Sequence, residues 1–70
     1  MPIINVKMTH EDGGATKKQK ELLAKGLTDC FVEIFGRGKE TCVVSIDEVS
    51  TDNYAIGGET ITNKRAKTKE

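Results

Sequence analysis

The first two residues of the chain are suited to proton transfer. Met1 is followed directly by Pro2, a context from which the initiator methionine is usually removed. The mature chain then begins with a proline whose nitrogen is a free secondary amine. An internal proline nitrogen is an amide and is not basic. An α-amine titrates at roughly 7.7–8.0 in model peptides, and a secondary amine in water lies higher. Burial disfavours the charged form and lowers that value. A partly buried terminal proline can therefore be neutral near pH 7 and act as a general base. Taken alone, the dipeptide also suits a plain strand start, where a missing N–H costs nothing. The rest of the chain decides between the two.

Other reactive side chains offer less. His10 is the only histidine and falls in a loop, so it reads as a solvated residue. Cys30 and Cys42 have no metal-ligand spacing and are expected on inward faces as buried, unreactive thiols. No metal and no disulfide scaffold is implied. Asp47 and Glu48 are neighbours on an extended segment, so they point to opposite faces and cannot act as one acid–base pair. The basic run near the C-terminus lacks interleaved aromatics and reads as a solvated terminus.

These residues must be positioned by very little chain. Seventy residues make one small domain, and a domain of this size buries only about 60% of the surface its unfolded chain exposes. Self-association is the expected remedy. Eleven basic and eleven acidic residues cancel, which gives no pull towards nucleic acid or a membrane surface. The apolar runs are too short to span a bilayer, and no signal peptide is visible. A cytoplasmic protein with reduced thiols is expected.

Residues 2–8 alternate as a strand, with Ile4, Val6 and Met8 on one face and Ile3, Asn5 and Lys7 on the other. Asp12-Gly13-Gly14 marks a loop. Thr16 and Gln19 fit a capping box that opens a helix. Leu23, Leu27, Cys30, Phe31 and Ile34 form its predicted apolar stripe, widened by Leu22 and Phe35, and Gly36 ends it. Residues 41–49 read as a second strand, with Val43, Ser45 and Asp47 opposite Cys42, Val44 and Ile46. Strand, helix and strand make a right-handed βαβ unit with parallel strands. The helix covers one sheet face. The other, carrying Ile3 and Val43, is too apolar to be left wet and calls for a partner chain. Gly57-Gly58 predicts a tight hairpin followed by an extended Thr60-Ile61-Thr62, too small to stand alone and expected to join a neighbour's sheet. The tail, residues 64–70, is expected to fray at its end. The fold class is α+β: a β-α-β unit with a short C-terminal hairpin, residues 1–63, assembled as an oligomer.

Pro2-Ile3-Ile4, Gln19-Lys20-Glu21, Asp47-Glu48 and Tyr54-Ala55-Ile56-Gly57-Gly58-Glu59 together resemble the tautomerase superfamily, in particular its short 4-oxalocrotonate tautomerase-like members (2-hydroxymuconate tautomerases). The resemblance covers almost the whole chain. It implies a cofactor-free keto–enol tautomerase acting on a small enol or 2-keto acid, and a homo-oligomer, first of all a hexamer, with active sites between subunits. It implies that Pro2 is the catalytic base and then acid. Tyr54 and Ile56 would line an apolar pocket, and Arg65 would match a C-terminal arginine of the family. Two departures stand out. Val43 occupies the place of an arginine in members that isomerise dicarboxylates, and Ala15 stands nearest the place of a second, early-loop arginine. Lys7, Lys17 or Lys39 could supply charge instead, without the two-pronged geometry of arginine. These departures leave open a second reading, a non-catalytic oligomeric binding module on the same fold.

Overall fold

The computed structural model describes residues 1–68. The expected unit is present. Strand β1 (Ile3–His10) leads to helix α1 (Lys17–Phe35) and strand β2 (Val43–Ser50). The two strands run parallel in the register Ile3↔Val43 through His10↔Ser50. A 3-10 turn at Thr51–Asn53 carries the chain to strands β3 (Ala55–Ile56) and β4 (Glu59–Thr60), which pair antiparallel. Gly57 and Gly58 have φ of +63° and +85°, the doubly positive pair of a two-residue type I′ hairpin turn.

Helix α1 starts where its sequence signal lies. The Thr16 hydroxyl accepts from the Gln19 N–H (3.0 Å), and the Gln19 side chain accepts from the Thr16 N–H (2.9 Å). At the other end the Gly36 N–H donates to the Val32 carbonyl (2.7 Å). The helix covers the sheet face of Ile4, Val6, Met8, Val44 and Ile46, all half-buried.

Its inner face is rotated from the expected stripe. Lys20, Ala24, Leu27, Thr28 and Phe31 are half-buried, whereas Cys30 is exposed and Ile34 is 70% exposed. Each residue turns the helix by about 100°, so a face centred between Ala24 and Phe31 leaves Ile34 about 70° and Cys30 about 110° off its centre. The apolar band of α1 is wider than a two-stranded sheet can cover. Cys30 is thus not the buried thiol expected of it; both cysteines are free.

The second correction concerns the C-terminus. Thr60-Ile61-Thr62 is not one extended segment: the strand ends at Thr60, and helix α2 runs from Ile61 to Thr68. The Thr60 hydroxyl accepts from the Asn63 N–H (3.3 Å) in the manner of an N-cap. Lys64 and Lys67 lie near Glu59, at 3.8 and 2.5 Å. Ile61 is the sole buried apolar residue among those described. The fraying expected at Lys69 and Glu70 lies outside the described residues.

The chain is elongated. Its radius of gyration is 15.7 Å and its extents are 48 × 25 × 16 Å, against roughly 11 Å expected for a compact domain of this length. The second sheet face lies open: Ile3 is 72% and Val43 40% exposed. In its middle the Asn5 amide donates to the Ser45 hydroxyl (2.7 Å) and to the Asp47 carboxylate (3.0 Å).

Candidate active site

Pro2 lies at the tip of β1, just before the sheet register begins. Its carbonyl accepts from the Val43 N–H (2.9 Å), which fixes Pro2 beside the start of β2. Its ring meets the loop that links α1 to β2. A methyl group added at Gly38 would lie 3.4 Å from Pro2 Cγ and 2.9 Å from Phe31 Cε1. Gly38 also has φ of +97°, so both space and conformation keep a side chain out of this position. The Gly38 carbonyl accepts from the N–H groups of Thr41 (3.3 Å) and Cys42 (2.8 Å), closing the loop onto Pro2. Pro2 is half-buried in apolar surroundings; Met1 ahead of it is 82% exposed and packs on little.

The expected site residues fall into two groups. Pro2 and Val43 are brought together, as the strand register requires. Tyr54, Ile56 and Arg65 are not. β2 carries the chain about 23 Å from Val43 to Ser50, at about 3.3 Å per residue, and Tyr54 and Ile56 lie beyond that end, 45% and 55% exposed. Arg65 sits on α2, where its Nε donates to the Glu11 carboxylate (2.7 Å). Glu11 lies nine positions after Pro2 along an extended strand, or about 30 Å away. Within one chain Arg65 therefore cannot share a substrate with Pro2.

The far end holds a second cluster of polar groups. The Glu48 carboxylate, its side chain 12% exposed, accepts from the Ala15 N–H (3.0 Å) and lies 3.1 Å from Lys20 Nζ and 3.4 Å from His10 Nδ1. The Ala15 N–H, then Lys20, hold this carboxyl below the usual range. Arg65, then the Thr9 hydroxyl, do the same for Glu11. A cleft between His10, Asp12, Thr51 and Arg65 opens beside these pairs. As expected, Asp47 and Glu48 point apart: Asp47 bonds Asn5 on the open face while Glu48 faces α1. Among the described residues no group of three or more His, Cys, Asp or Glu side chains is placed to hold a metal ion.

Fold and site geometry together define a class, and comparison with known proteins supplies it. The family model described as "Tautomerase enzyme" matches residues 2–64. A "Probable tautomerase" of Helicobacter pylori (strain J99) is 45% identical over 67 residues, which is 96% of this chain and 98% of that protein. The "2-hydroxymuconate tautomerase" of Bacillus subtilis (strain 168) is 35% identical over 63 residues, covering 90% and 97%. The crystal structure of DmpI from Helicobacter pylori superposes with a TM-score of 0.84 at 42% identity, covering 93% of this chain and 97% of the other. The chain belongs to the tautomerase family, with the tautomerase fold, and is an isomerase of the keto–enol tautomerase type. No helix among the described residues is long and apolar enough to cross a membrane.

Proposed function

We propose that Pro2, freed by removal of Met1, is the general base and then the general acid of a cofactor-free tautomerisation of a small enol or 2-keto acid. The observation that carries this is the setting of Pro2: half-buried at a strand tip, with its ring against Gly38 close to Phe31, and tethered through its carbonyl to Val43. In such surroundings the charged form of an amine loses more hydration free energy than the neutral form, so its pKa falls towards neutrality. The neutral amine takes the proton of the enol hydroxyl. The enolate's electrons move to the conjugated carbon, and the ammonium so formed returns the proton there, giving the ketone and a neutral amine.

The remaining site residues come from other copies of the chain. Tyr54 and Ile56 are exposed and lie beyond reach of their own Pro2, which supports a neighbouring subunit's pair as the apolar wall of each site. Arg65 would be supplied the same way. The open face of Ile3 and Val43 and the excess apolar band on α1 support a homo-oligomer, with a hexamer as the first expectation. The free thiols accord with a cytoplasmic setting. Val43, an apolar side chain beside the base, favours a substrate with one carboxylate over one with two.

The test compares processed protein with protein retaining Met1, each verified by mass, in a spectrophotometric assay of enol ketonisation. The processed form should show a rate that rises with pH through the amine pKa, and the Met1-retained form should be inactive while keeping its oligomeric size. Equal rates would show that Pro2 is not the base. Sedimentation of a stable folded monomer at micromolar concentration would remove the shared site.

A further inference from the structure

We infer that Lys39, from the same chain as Pro2, receives the carboxylate of the substrate. The proposal rests on Pro2 being the base and adds to it a residue that sets specificity for an anion.

The argument is one of position and of charges already committed. The loop between α1 and β2 is held against Pro2 at Gly38, and Lys39 is the next residue, about 3.8 Å further along the backbone. A four-carbon stem lets its ammonium reach over the proline ring. Within this chain the other cations among the described residues are spent or distant. Lys20 lies against Glu48, Lys25 against Asp29, Lys64 and Lys67 against Glu59, and Arg65 against Glu11. Lys17 and Lys18 open α1 at the far end of the sheet, and Lys7 lies five residues along β1, about 16 Å from Pro2. Only two cations flank Gly38. Arg37 lies over the Phe35 ring, 5.8 Å from its centroid, an attraction that occupies its guanidinium. Lys39 is exposed and lies within ion-pair distance of no carboxylate among the described residues.

Its surroundings suit one anion and not two. Val43 and Phe31 beside Pro2 are apolar, so on this chain's side of the site a second carboxylate would be desolvated without a partner. One lysine, one apolar wall and one amine from this chain fit a monoanionic enol acid carrying an apolar substituent.

The test uses processed, mass-verified protein and three forms: wild type, Lys39→Gln and, as a charge-matched control, Lys18→Gln on the exposed start of α1. Two substrates are assayed, the enol of phenylpyruvate and the enol of its methyl ester. Lys39→Gln should raise KM for the acid about tenfold or more, the range for losing a charged hydrogen bond, and leave KM for the ester within about twofold. Lys39→Arg should restore the acid. Equilibrium binding of 3-phenylpropanoate, which cannot tautomerise, should weaken in parallel. That arm reads Lys39 even if Pro2 is not the base, while the Met1-retained form reads Pro2 without reference to Lys39. An unchanged acid KM and unchanged 3-phenylpropanoate affinity in folded Lys39→Gln would overturn the proposal, as would an equal loss with the ester or in Lys18→Gln.

Discussion

The two ends of the sheet are built by different physics. At the tip where β1 begins, Pro2 meets a glycine and an aromatic side chain, and the bonds that hold the place together are backbone bonds: Val43 N–H to Pro2, Thr41 and Cys42 N–H to Gly38. At the other end, side-chain charge does the holding. Glu48 joins β2 to Ala15 and Lys20, Glu11 joins the β1–α1 loop to Arg65, and Glu59 joins the hairpin to α2. An amine that must lose its proton near neutral pH needs an apolar setting without a carboxylate, because a carboxylate would stabilise its charged form. The ion-paired carboxylates Glu11, Glu48 and Glu59 are gathered at the other end of the sheet, where they cannot do so within the same subunit.

The most severe way to break the contrast is at the nitrogen of Pro2. Acylating it, or retaining Met1, turns an amine into an amide without touching the ion pairs of the far end. General acid–base groups contribute about 10²–10⁴-fold, so the rate of enol ketonisation should fall by that range while the melting temperature stays within a degree or two. A comparable loss of stability would mean that the Pro2 end also carries the fold.

Gly38→Ala strikes the same end through the backbone. The added methyl would meet Phe31 at 2.9 Å, and a φ of +97° is disfavoured for any residue with a Cβ, with a cost of about 1–3 kcal/mol. The variant should melt lower and lose activity together, because the loop that abuts Pro2 must shift. Lost activity with an unchanged melting temperature would show that the loop moves freely and that its packing on Pro2 is incidental to the fold.

Much of the fold was legible in the sequence, for reasons particular residues make plain. The Thr16–Gln19 capping box placed the start of α1, period-two alternation placed β1 and β2, and Gly57-Gly58 placed the hairpin turn. Each is a local rule. That Ile3 and Val43 share one sheet face followed from the alternation; the register that sets them opposite each other did not, because a βαβ connection fixes the parallel direction and not the pairing. What sequence periodicity could not settle was how much of the apolar band on α1 would be covered, since that depends on the sheet's width; hence the misplacement of Cys30 and Ile34. The start of α2 was obscured because Thr60-Ile61-Thr62 is rich in β-branched residues, although Thr60, three residues before Asn63, carried the cap. Ion pairs such as Arg65 with Glu11 join positions 54 apart in the chain and leave no local trace. For that reason Arg65 could be matched to a role but not located.

Val43→Arg sharpens the comparison by putting charge where the structure has none. If the side chain faces the substrate of a site that includes Pro2, it should raise activity on a dicarboxylate enol by about tenfold, as one charged hydrogen bond realised in the transition state allows. It should do less for a monocarboxylate already held by Lys39. No gain in a correctly assembled variant would mean that β2 turns this position into the subunit interface and away from the substrate.

The smallest expected effect comes from acid, and it should appear at the far end alone. Glu48, Glu11 and Glu59 are all held below the usual carboxylate range in the folded chain, the first chiefly by the Ala15 N–H and the others chiefly by Arg65 and Lys67. A carboxyl whose folded pKa lies below its unfolded value near 4.3 binds its proton more readily when unfolded. Its contribution is therefore present above that pH and is lost as the pH falls through the folded pKa. The melting temperature should be flat from neutrality down to about pH 5 and then decline. Because these pairs lie at the surface, water and salt screen them and the decline should be modest. Glu48→Gln should start lower at neutral pH and fall less between pH 5 and pH 3, since glutamine can still accept from the Ala15 N–H but has no charge to lose. Thermal melts of both forms over that range decide it. If the two curves stay parallel, Glu48 adds nothing to the acid response, and the work of holding the far end passes to Glu11 and Glu59.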